Sequence, residues 1–202
     1  MKKYDLFLLV MTVFLIVLFC RPVLAGPFGL DMGMNIEQLK SITNIEGNNN
    51  DEVFKCTKVP NPSSIFDAYY ISVDGKVGLY RIMAVVNLNQ LSNYGDQIKT
   101  NFNYIEELIN NKYGKGTRYD FLKANSLWKD PNEWTMSLLK KERVLNDFWL
   151  NSDGLNMPDH INSIALAGVA FSRTSGGVSL TYEFTNIDDA IKNKKNKQGS
   201  SL

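Results

Sequence analysis

Apolar residues recur at the helical period in the middle of this chain. Ile98, Phe102, Ile105, Leu108, Ile109 and Tyr113 share one face, while Asn101, Glu106, Glu107, Asn110 and Asn111 take the others. The spacing predicts a helix from Gly95 to Tyr113, laid on a sheet and stopped by Gly114 at the position of a left-handed cap. A shorter helix is expected over Asn35–Ile42. Asn35 caps it, Gln38 takes the capping-box position, and Ile36, Leu39 and Ile42 fall on one face. Asp130-Pro131-Asn132-Glu133 opens a third helix, which Trp134 and Leu138 continue to about Lys140.

Between the helices the period changes to two. Val53–Val59, Ala68–Val73 and Gly78–Val86 are strand-like runs, with Asp74-Gly75 as the hairpin signal between the last two. Pro60 and Pro62 exclude a regular strand between the first two. Arg118–Leu122 is a short strand candidate. Arg143–Leu150 has Val144, Phe148 and Leu150 on one parity. Ile161–Ser172 and Val178–Thr185 form a second hairpin across Arg173–Gly177. Val178, Leu180, Tyr182 and Phe184 alternate there with Ser179, Thr181, Glu183 and Thr185, as in a half-buried strand. The order implies an α+β fold, an antiparallel sheet with two or three helices packed on one face. Two degenerate helix-plus-meander halves can be drawn, over 28–88 and 93–188. The domain is expected to span 26–190, with a flexible Lys- and Asn-rich tail over 191–202.

The first 25 residues follow another logic. Lys2 and Lys3 precede an apolar run from Leu6 to Phe19, and Val23-Leu24-Ala25 supplies small residues before Gly26. This is the pattern of a secretory signal peptide over 1–25, cleaved after Ala25, and it implies a periplasmic or secreted protein. Lipidation at Cys20 is disfavoured by bulky Phe19, and the apolar run is short for an uncleaved anchor. No transmembrane span is expected after cleavage.

Removing that segment takes the basic count from 22 to 19 and the acidic count from 21 to 20, a net charge near −1. No global field then draws the protein to nucleic acid. Cys56 is the one cysteine left, so no internal disulfide can form, and its strand-like setting reads as a small buried apolar residue rather than a reactive thiol.

Candidate chemistry is sparse. The single histidine, His160, follows Pro158-Asp159 and reads as a loop residue rather than a base. No serine has a nucleophile-elbow setting, no Gly-rich turn lies between strand and helix, and the acidic residues lack calcium-loop spacing. Adjacent Asp51-Glu52 reads as a solvated loop. No catalytic, metal or cofactor-binding residue is therefore assigned. The aromatic residues offer a binding surface instead, with Trp128, Trp134, Tyr119 and Arg143 as the candidate positions.

The opening Phe28–Lys40, with Gly33-Met34 and the capped helix, resembles the helix opening of the outer-membrane assembly lipoprotein family BamE (SmpA). Lys112–Gly116, Leu127-Trp128, Trp134–Met136 and Leu139–Arg143 together resemble a set of uncharacterised exported bacterial proteins, which brings no activity with it. The leading expectation is an exported, non-enzymatic envelope protein that binds another envelope protein or a peptide. The alternatives are a small-ligand binder or hydrolase with a site assembled from distant residues, and a membrane-tethered structural protein.

Overall fold

Eight antiparallel strands form one sheet in the order β1-β2-β3-β4-β8-β7-β6-β5 in this computed structural model, which describes residues 26–47 and 52–200. The proposed signal segment and Asp51 lie outside the described residues. The strands are β1 (Asn44–Glu46), β2 (Val53–Lys58), β3 (Ala68–Asp74), β4 (Gly78–Asn89), β5 (Thr117–Leu122), β6 (Arg143–Leu150), β7 (Ile161–Ala170) and β8 (Ser175–Phe184). Four α-helices accompany them: α1 (Ile36–Ile42), α2 (Asp96–Tyr113), α3 (Trp134–Leu139) and α4 (Ile187–Gly199). The class is α+β, with four α-helices among the described residues rather than two or three.

Local chemistry explains the helix ends. Asn35 Oδ1 accepts from the Gln38 N–H at 2.9 Å and Gln38 Oε1 accepts from the Asn35 N–H at 2.9 Å, so two otherwise unpaired donors of α1 are satisfied. The Asp130 N–H donates likewise to Glu133 Oε2 at 3.1 Å, in the 3-10 turn Pro131–Glu133 that leads into α3. Helix α2 ends at Gly114, whose φ of 95° suits glycine.

The helical period buries Ile98, Phe102, Ile105, Ile109 and Tyr113 against the sheet, while Leu108, on the predicted apolar face, is 40% exposed. Helix and sheet approach closely at Gly168 on β7. A Cβ there would lie 2.9 Å from Ile98 and 3.0 Å from Leu145. Gly95 admits the Trp134 ring in the same way: φ is 71°, and a Cβ would overlap the indole at 1.9 Å. Tyr69, Leu145, Trp149, Ile164, Leu166, Leu180 and Tyr182 fill the core from the sheet side. The Trp149 indole N–H donates to the Gly114 carbonyl at 2.9 Å, which ties β6 to the end of α2.

The chain after Asp188 departs from the expected flexible tail, because helix α4 runs to Gly199. Ile187 and Ala190 are buried, Asn193 Nδ2 donates to Asp74 Oδ1 at 2.9 Å, and Lys194 pairs with Glu52 at 2.5 Å. A single turn of apolar anchors plus two long-range polar contacts holds this helix. Its remaining polar turns carry no hydrophobic periodicity that a sequence reading could detect.

Candidate functional site

Strand alternation divides the sheet into two faces. The helix side carries the core. The other side can be followed strand by strand through the register: Lys55, Tyr70, Met83, Thr181, Ala165, Phe148 and Thr117 stand in one row across seven strands. The neighbouring row runs Val85, Ser179, Ala167, Asn146, Tyr119. Its centre holds small side chains, and its β5 end holds aromatic ones. Met83, Thr181, Ala165, Ala167 and Phe148 all keep partial solvent contact.

A groove of about 480 Å³ lies where the aromatics rise, over β5 and β6. Tyr119, Phe121, Val144, Phe148 and Leu150 line it, with Thr117, Asn146 and Asp153 as its polar members. Tyr119 and Phe148 meet edge to face at 5.8 Å between centroids. Tyr119 and Phe121 are each 46% exposed, an unusual setting for adjacent aromatics of one strand face. The alternation of Val144, Phe148 and Leu150 therefore marks this groove. The opposite parity of β6 (Leu145, Asp147, Trp149) is the buried one.

Behind the groove, between β5–β6 and α2, sits a charged cluster. Arg118 Nη1 donates to Glu106 Oε2 at 2.6 Å and to Asn103 Oδ1 at 2.9 Å, and Arg118 Nη2 lies 3.2 Å from Asp120. Arg143 reaches the other oxygen of Asp120 at 3.5 Å. Asp147, 1% exposed, accepts from the Phe148 N–H at 2.8 Å and has the Glu106 carboxyl as its acidic neighbour. Burial, then that acidic neighbour, pushes the Asp147 carboxyl up to about 7, against the opposing pull of the Phe148 N–H and Arg118. The Asp147 carboxyl therefore takes up a proton far more readily than an exposed aspartate. Asp147 is enclosed by Trp149 and Gly116, which places it in the core rather than at a reacting surface, while Glu106 is half-buried beside it.

The four residues expected from sequence to form one surface do not. Tyr119 is on the open face. Trp134 is 6% exposed and packed on the helix side, between Lys99 Nζ at 4.7 Å and the Arg143 guanidinium at 5.5 Å from its ring centre. It is a core residue that fills the space over Gly95, not a contact residue. Arg143 points the same way, its Nε on Ser137 Oγ at 3.3 Å. Trp128 is half-buried in the loop before α3, where its backbone N–H donates to Glu142 Oε2 at 3.1 Å. His160 is exposed in the turn before β7, with φ of 60°. Cys56 is fully buried, and that burial pushes its thiol up to about 11.

A second cleft, of about 580 Å³, opens beside α4 between Ile36, Phe54 and Val73 on one side and Asn193, Lys194 and Lys197 on the other. Among the described residues, no group of three or more His, Cys, Asp or Glu side chains could hold a metal ion. No protein-family model matches the chain, and comparisons with curated proteins and with solved structures find no match either.

Proposed function

We propose that this is an exported, non-enzymatic protein of the bacterial envelope that binds a segment of another envelope protein, or a peptide, on the open face of its sheet. The observation that carries the reading is the groove over β5 and β6, where Tyr119, Phe121 and Phe148 stand solvent-accessible. Aromatic side chains give large contact area at low entropy cost, which is why such clusters anchor interfaces. The hydroxyl and amide groups of Thr117, Asn146, Ser179 and Thr181 are interspersed with them on the same face. That mixture suits an extended polypeptide, which brings apolar side chains and backbone amides together. The motif over residues 1–25 supports the address. Among the described residues, no helix is long and apolar enough to cross a membrane.

A panel of immobilised peptides with alternating apolar and polar residues tests the reading. Peptides captured by the wild-type protein are expected to lose about tenfold or more in affinity on Phe121→Lys, equivalent to about 1.4 kcal/mol. Val53→Lys, at a 53% exposed apolar position of β2, should leave binding unchanged. Equal loss in both variants, or no captured peptide, would overturn the assignment.

A further inference from the structure

The two edges of the sheet are built differently. Edge strand β1 has three residues, a register shift at Asn44/Ile45 and a Lys55–Glu46 ion pair beside it, all devices that discourage further pairing. Edge strand β5 is neither short nor shifted, although its Asp120 carries ion pairs to Arg118 and Arg143. It pairs with β6 without a shift over all six residues, contains no proline, and is exposed from Thr117 to Phe121. The Lys123 N–H bonds the Glu142 carbonyl at 2.7 Å, which sets the phase of the β5–β6 ladder. Thr117, Tyr119 and Phe121 accordingly turn their backbone groups to β6, and Arg118, Asp120 and Leu122 turn theirs to the free edge.

We propose that β5 pairs antiparallel with β5 of a second copy of this chain, on a two-fold axis through Tyr119, so that one sheet runs through both molecules. An isologous contact must be self-complementary. Only outward-facing residues can bond across it, so an axis at Tyr119 matches Arg118 with Asp120, whereas one at Phe121 would match Asp120 with Leu122 and leave Arg118 without a partner inside the strand. With Tyr119 on the axis, Arg118 of each copy stands opposite Asp120 of the other, and opposite charges directly across a strand pair attract. Moving the axis to Asp120 would set two carboxylates face to face. The favoured register also brings Tyr119 against Tyr119 and Phe121 against Thr117 on the open face, joining two aromatic grooves into one. The inference rests on the free edge and its charge order, not on what occupies the groove.

Sedimentation of the protein purified after expression of the full chain, together with Asp120→Pro, tests it. Proline at 120 removes an outward N–H and leaves the β6 ladder its bonds. The wild type is expected to sediment as a dimer, and Asp120→Pro as a monomer with an unchanged far-ultraviolet spectrum. The second measurement is crosslinking, with Cys20→Ala in the background. Residues paired on the axis at a non-hydrogen-bonded position have Cα atoms about 4.5 Å apart, within disulfide range. Tyr119→Cys should therefore form a covalent dimer under mild oxidation, and Asp120→Cys should not. Cys56 is buried and does not compete. A wild-type monomer, a dimer that survives Asp120→Pro undiminished, or crosslinking at 120 in place of 119 would overturn the proposal. Loss of peptide capture in a protein that still dimerises would count against the groove reading alone.

Discussion

The Asp147 carboxyl couples folding to pH, and its sign can be worked out. Its ordinary value is 3.8, and in the folded protein burial beside Glu106 pushes it up to about 7. Between about pH 4 and pH 7 the folded state therefore holds a proton that the unfolded state has released, so stability falls as pH rises through that window. Below the window both states are protonated and no penalty remains; above it the full penalty is present. Rising from 3.8 to about 7, at about 1.4 kcal/mol per tenfold in the proton equilibrium, sets an upper limit of about 4 kcal/mol. Asp147→Asn keeps an acceptor for the Phe148 N–H and gains an amide donor for Glu106. It should match the wild type to within about 1 kcal/mol near pH 4 and exceed it by up to the full amount near pH 8. Urea unfolding followed by tryptophan fluorescence across that range measures both curves. A flat wild-type profile, or equal slopes in the two proteins, would refute the assignment to Asp147.

Two further outcomes are expected. The Cys56 thiol, pushed up to about 11 by burial, should not react with an aromatic disulfide reagent at mildly alkaline pH until the protein unfolds; stoichiometric labelling of the folded protein would contradict its placement. The Gly26 N–H lies 2.8 Å from Asp31 Oδ1, so cleavage after Ala25 would turn this hydrogen bond into an ammonium–carboxylate pair. The intact mass of the exported protein should begin at Gly26, and Asp31→Asn should cost it about 1 kcal/mol; a mass retaining residues 1–25 would sink that expectation.

The elements were legible where the signal was local. The apolar period of α2, the capping pair Asn35–Gln38 and the alternation of β8 each lie within a few residues. Their structures follow from contacts along one turn or one strand. The candidate site was legible only at Tyr119. Trp134 and Tyr119 look alike as aromatic residues near strands, yet one fills the gap over Gly95 and the other meets solvent. Nothing near either in sequence separates them, because the distinction depends on where α2 and α3 cover the sheet.

Strand β6 shows the same division. Its alternation was readable, and alternation of that kind ordinarily assigns the apolar parity to the core. Here Phe148 and Leu150 lie on the open side, while Asp147 goes inward with Leu145 and Trp149, its carboxyl beside that of Glu106 on a helix forty-one positions earlier. The sequence by itself determined the strands, most helix boundaries, the caps and the α+β class, since propensity and periodicity act over a few residues. Only the tertiary structure decided which face of each strand is covered, that α4 docks on Asp74 and Glu52, and that β5 is left as a free edge. Those features depend on strand order and on pairs far apart in the chain, where each residue's neighbour is chosen by the packing of the whole sheet.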